Sequence, residues 1–217
     1  MRTLDLLVAD LADAERAEGR RESRIRAEFE RRTGHPRGVA VYGPDGVVWW
    51  ELQAADPPDH ATADALVDEA VTAYLDTDGQ EQAALQAAFE DWRYLRWRAG
   101  WIAGAARAEL ASSSSGDVGA VRCLRRALAA ITLEGGVTDY RDTIVSLDGL
   151  YLAALRAGLD PAPYFADAAT AAASAPSERN RARRLLAMYA APDRAAALVR
   201  AAASHPTDPP GGARSSG

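Results

Sequence analysis

Lysine is absent: all 25 basic residues are arginine. Asparagine occurs once, at Asn180, and cysteine once, at Cys123. Aromatic residues make up only 7% of the chain, and no uncharged apolar run approaches the roughly 20 residues that cross a bilayer. Each scarcity excludes something. One cysteine forms no internal disulfide, which fits a reducing compartment and leads to the expectation of a cytoplasmic protein. The three histidines, His35, His60 and His205, sit at loop edges, and none has a His or Cys at i+3 or i+4, so no helical metal pair exists. Arg2 is followed by Asp5 and Asp10 inside the segment where a secretory signal needs an apolar core, so no signal peptide is expected. Arginine and alanine have GC-rich codons and lysine and asparagine AT-rich ones, so a high-GC bacterial genome accounts for the bias.

Catalytic signatures are missing too. There is no G-x-S-x-G, no P-loop and no dinucleotide-binding fingerprint. Asp76-Thr77-Asp78-Gly79 resembles the start of a calcium loop, but its glycine comes two positions early and the bidentate glutamate is missing. Cys123 lies on an apolar stripe with Leu124 and Leu128 and reads as a buried thiol. No catalytic residue, metal site or cofactor is assigned.

What is present describes a globular chain. It has 217 residues, 48% hydrophobic and 26% charged, with a formal charge of -6. The acidic balance argues against nucleic acid as the principal partner, because duplex affinity comes largely from phosphate neutralisation.

Helical periodicity runs through most of the sequence. Leu4, Leu7, Val8, Leu11, Ala14, Ile25 and Phe29 predict a helix over 4–33, with Thr3 as N-cap and Gly34 before His35-Pro36 as the stop. At 1.5 Å per residue it would be about 45 Å long, enough to span or overhang the whole body. Gly19 is its weakest point. Residues 38–53 contain strand formers around Gly43-Pro44-Asp45-Gly46, and predict a β-hairpin with strands near 38–42 and 47–52. Asp56-Pro57-Pro58-Asp59 reads as a linker. Beyond it, helices are expected near 62–76, 80–111, 117–132, 139–157, 161–174, 177–190 and 193–204. The expected fold is mainly α: stacked antiparallel helical hairpins, solenoid-like or an orthogonal bundle, with a long N-terminal helix and one hairpin. The expected divisions are 1–55, a helical body at 60–205, and a tail at 206–217 whose composition predicts disorder.

Three constellations carry functional expectations. The first is the arginine-rich segment of the long helix. Eight arginines between Arg16 and Arg37 accompany Glu15, Glu18, Glu22, Glu28 and Glu30, a net +3. Arg20, Arg21, Arg24 and Arg31 are the candidates for nucleic acid, set against a solvated face laced by pairs such as Glu22–Arg26 and Glu28–Arg32, which the sequence favours. The second is Asp91 to Trp101. At 100° per residue, Leu85, Phe89, Trp92, Ala99, Ala103, Ala106 and Leu110 share one face, and Tyr94, Trp97, Trp101 and Ala105 the opposite one. A helix apolar on two sides needs two coverings. One candidate cover is Trp49 or Trp50 from the hairpin. The other is a partner protein, engaged by Trp49, Trp50, Arg93, Tyr94, Arg96, Trp97, Arg98 and Trp101. The third is Thr138 to Asp142, where Asp139, Arg141 and Asp142 are either first-turn caps and an ion pair or a ligand site between helices.

The stretch from Asp139-Tyr140-Arg141-Asp142 through Gly158-Leu159-Asp160-Pro161 to Phe165 resembles a segment of uncharacterised bacterial α-helical proteins, some HEAT-like and some of immunity type. The resemblance covers residues 117–175. It implies stacked helices and protein binding, and carries no catalytic residue. The functional expectation is a non-catalytic interaction protein, an adaptor or immunity-type binder. A helical small-molecule-binding protein or enzyme is the first alternative, and a nucleic-acid binder the second. Homodimerisation through the long helix or the hairpin competes with all three.

Overall fold

The computed structural model of the chain describes residues 3–38, 43–114, 117–135, 140–173 and 182–204, and within these the backbone alone at 140–143, 145, 195 and 202–204. Among the described residues there are ten α-helices and no strand. They are α1 (Leu4–Thr33), α2 (Pro44–Ala55), α3 (His60–Asp76), α4 (Gly79–Glu90), α5 (Arg93–Ser112), α6 (Val118–Glu134), α7 (Tyr140–Arg156), α8 (Ala162–Ala172), α9 (Ala182–Ala190) and α10 (Pro192–Ser204).

The expected N-terminal helix forms over its full length, unbroken at Gly19. Gly34 ends it in the left-handed conformation, φ 71°, and its N–H returns to the Glu30 carbonyl. Thr3 caps through its backbone alone: its carbonyl accepts from Leu7, and its side chain makes no capping bond. The two halves of α1 bury different things. Leu7 and Leu11 enter the main core, whereas Ile25 and Phe29 form a smaller cluster with Trp49 and Leu52 of α2.

The hairpin expectation is corrected here. Of its first strand, 38–42, all but Gly38 lies outside the described residues, but its second strand, 47–52, is helical. Gly43 takes φ 141°, Pro44 occupies the first helical position, and Asp45 sits in the first turn. Proline lacks the N–H that would be orphaned there, and a carboxylate is favourable at the positive end of the helix dipole. Trp49 and Leu52 then lie one turn apart and bury against Phe29, with Trp49 meeting its ring edge-on at 5.5 Å between centroids. That burial outweighs the strand propensity of Val47-Val48-Trp49-Trp50.

A second correction concerns 80–111, which is two helices. The backbone turns at Asp91 and Trp92 (φ -108°, ψ 84°), separating α4 from α5. Two side chains hold the break, one distant in sequence and one within the next turn. The Glu15 carboxylate, from α1, accepts from the Tyr94 and Leu95 N–H groups at 3.2 and 3.1 Å and so caps α5. The Arg96 guanidinium donates to the Glu90 carbonyl at the end of α4 and to the Glu134 carbonyl at the end of α6.

The body is organised around α6. Ala127 to Glu134 are buried without interruption, as befits a helix touched by α3, α4, α5, α7, α8 and α9. In a solenoid each repeat touches only its neighbours. The mainly α class holds, while these contacts centre on one helix rather than following an axis. No helix among the described residues is long and apolar enough to cross a membrane.

Candidate partner interface

The site is built on α5. One face buries Leu95, Ala99, Ile102, Ala106 and Leu110. Around the opposite face, at helical spacing, stand Arg93, Trp97, Gly100, Trp101, Gly104 and Ala108. Trp97 is 41% exposed and Trp101 59%. This is the second apolar side read from the sequence. The α2 tryptophans do not cover it: Trp49 packs on Phe29, and Trp50 is itself 70% exposed.

The aromatic residues on this face are held from behind. Arg98 is buried, and its guanidinium makes paired 2.6 Å hydrogen bonds with both Asp64 oxygens. It sits 5.1 Å from the Trp97 ring centroid and 5.5 Å from that of Trp101, within cation–π range. His60 Nδ1 and the Tyr94 hydroxyl share a 2.9 Å hydrogen bond, and the His60 ring stacks on Tyr94 and meets Trp97 edge-on. Burial, reinforced by the nearby Glu18 carboxylate, pushes the Tyr94 hydroxyl up to about 12. Trp97 and Trp101 stand 6.0 Å apart at 84° to each other.

Beside these rings lies a cleft of about 600 Å³, lined by α5, the end of α6 and α7. Trp97 and Trp101 form one side, and Ile131, Glu134, Ser146 and Leu150 the other. Gly100 and Gly104 lie between. A Cβ at Gly104 would meet nothing within 4 Å, and one at Gly100 would make only ordinary contact, 3.5 Å, with Glu134 Cγ. Glycine inside a helix costs about 1 kcal/mol relative to alanine. The packing of the described residues requires neither glycine. Arg107 borders the cleft, its guanidinium lying across Gly149 of α7. Neither Arg107 nor Arg93 has an ion-pair partner among the described residues.

The other sequence candidates fare differently. Arg96 and Arg98 hold the fold rather than rim the surface, whereas Arg93 is exposed. Three of the four arginines proposed for nucleic acid are engaged by acceptors of this chain. Arg21 is buried against Glu18, Glu22 and the Asp56 carbonyl; Arg24 reaches Asp56; and Arg31 makes two bonds to Glu28. Arg20 is exposed. Glu28 also takes Arg32, as its spacing suggested, while Glu22 takes Arg21 and Gln53 in place of Arg26. Asp139 lies outside the described residues, as do the side chains of Arg141 and Asp142. Cys123 is buried, and burial together with Glu109 pushes its thiol above the ordinary range. No group of three metal-ligating side chains occurs among the described residues.

Sequence reasoning missed Glu15, Asp64, Gly100, Gly104 and Arg107. The first two act across long separations and leave no local signal. The glycines and Arg107 could have been found by asking which residues share the outer face of α5 with the tryptophans. The chain matches no protein-family model, no curated protein and no solved structure. The resemblance read over residues 117–175 therefore supports no family assignment.

Proposed function

We propose that this is a non-catalytic interaction protein, an adaptor or immunity-type binder that docks a partner protein against the outer face of α5. One observation supports the reading above all: Trp97 and Trp101 stand exposed on an apolar face that no described residue covers, their rings fixed from behind by the Arg98–Asp64 pair. Tryptophan, tyrosine and arginine dominate binding hot spots, and anchors already rigid lose less entropy on binding. The 84° angle between the two rings argues against a platform for successive bases or sugars, which stack on ring faces that follow one another. The action on the partner is occlusion or scaffolding.

The test places a photo-crosslinking residue at Ala105, exposed beside this face, and at Ala55, exposed on α2. The reading expects one stoichiometric protein adduct in native-host lysate from position 105, absent from position 55 and lost with Trp101→Ala. Equal labelling from both positions, or none from either, overturns it.

A further inference from the structure

Resting on that reading, we infer that the segment received by α5 is a helix with a small-residue apolar face and an acidic flank. Three features converge. First, the apolar stripe runs from Trp97 through Gly100, Trp101 and Gly104 to Ala108, at the spacing of one helix face. From Trp97 to Ala108 it covers about 16 Å, three helical turns, which matches the length over which one amphipathic helix places anchors at i, i+3, i+4 and i+7.

Second, two positions of that stripe, on either side of Trp101, have no side chain. Gly100 and Gly104 are four residues apart, both border the 600 Å³ cleft, and neither answers a packing need among the described residues. A pair of small residues at this spacing lets a second backbone approach closely. Trp97 and Trp101, together on one side of the cleft, would then pack along one side of an incoming helix.

Third, among the described residues, the charge that borders the cleft without an ion-pair partner is positive. Arg93 lies at the N-terminal end of the face and Arg107 at its edge, both without an ion-pair partner among the described residues. Among the described residues, the one carboxylate lining the cleft, Glu134, is buried and already engaged. A second copy of α5 would bring the same positive charges against themselves. A helix carrying glutamate or aspartate beside its apolar stripe would neutralise them, and the match would speed its encounter.

The full-length protein is titrated with two synthetic helical peptides that share an alanine- and leucine-faced stripe. One carries glutamate on both flanks and the other lysine, and binding is read by fluorescence anisotropy. The glutamate peptide binds at least tenfold more tightly, and its affinity falls as salt is raised. Arg107→Glu reverses the preference. Gly104→Leu, whose side chain enters open space, abolishes binding of both peptides while thermal unfolding stays cooperative. Equal affinity for the two peptides, or a preference unmoved by Arg107→Glu, overturns the acidic-helix inference and leaves the docking reading to the crosslinking test. So does the binding of neither peptide. Sedimentation showing a dimer that Gly104→Leu dissociates overturns it in favour of a second copy.

Discussion

Glu15 illustrates how much one side chain settles in this molecule. Its carboxylate occupies two orphan N–H groups at the start of α5, from a helix nearly eighty residues earlier in the chain. Glu15→Ala should therefore cost about 1 kcal/mol of folding stability in urea titrations, the usual worth of an N-terminal cap, with Glu15→Gln recovering part of it. An unchanged midpoint would count against this capping role. Two aromatic residues, Trp101 and Phe29, differ sharply in burial. Trp101→Ala should alter stability by no more than about 1 kcal/mol, since the ring is mostly in water. Phe29→Ala should cost about 3–5 kcal/mol, because it empties the small core under α2. Tyrosine ionisation gives a check by pH. Burial raises the Tyr94 and Tyr189 hydroxyls to about 12, with Asp148 adding to the effect at Tyr189. A raised folded-state value means the stabilisation is fully present below the unfolded value of about 10 and is lost as pH climbs through the folded one. Phenolate absorbance should show these groups ionising only as helical circular dichroism collapses near pH 12. All seven tyrosines titrating near 10 with the helices intact would contradict it.

Elements were legible wherever their signals are local. The full span of α1 follows from its apolar spacing and from Gly34, and the stop after α7 follows from Gly158, where the Leu159 N–H returns to the Ala154 carbonyl. Two elements were misread, for different physical reasons. At α2 the information was present: Pro44-Asp45 serves equally well as a turn or as the first turn of a helix, and only Phe29, fifteen residues upstream, decides between them. At Asp91-Trp92 no local signal exists, because the break is stabilised by Glu15 and by Arg96 bridging two helix ends. The two-sided character of α5 was legible as periodicity. Which side would remain uncovered was not, since that depends on where α2 packs. Breaking the support behind that side should be felt in the fold. Asp64→Ala leaves Arg98 buried without its carboxylate and should destabilise by roughly 1–3 kcal/mol, while Asp64→Asn, which keeps an acceptor, should destabilise less. Equal stability of both variants with the parent would remove this pair from the account.

Across the whole molecule, the apolar surface is distributed unevenly. The interior around α6 is closed by six helices. The far half of α1 is covered by α2, and Arg21 ties it to the chain beyond α2 through the Asp56 carbonyl at 2.6 Å. Among the described residues, the outer side of α5 has no such cover, and two tryptophans, two glycines and two arginines without ion-pair partners gather there. If that surface receives a partner, the fold itself does not use it. Urea unfolding of Gly104→Ala, with no partner present, tests this most directly. A residue that merely replaces glycine on an open helix face should raise stability by up to about 1 kcal/mol, with the steepness of the transition unchanged. A loss of stability would mean that the glycine is packed against something within this chain, and that the face is closed.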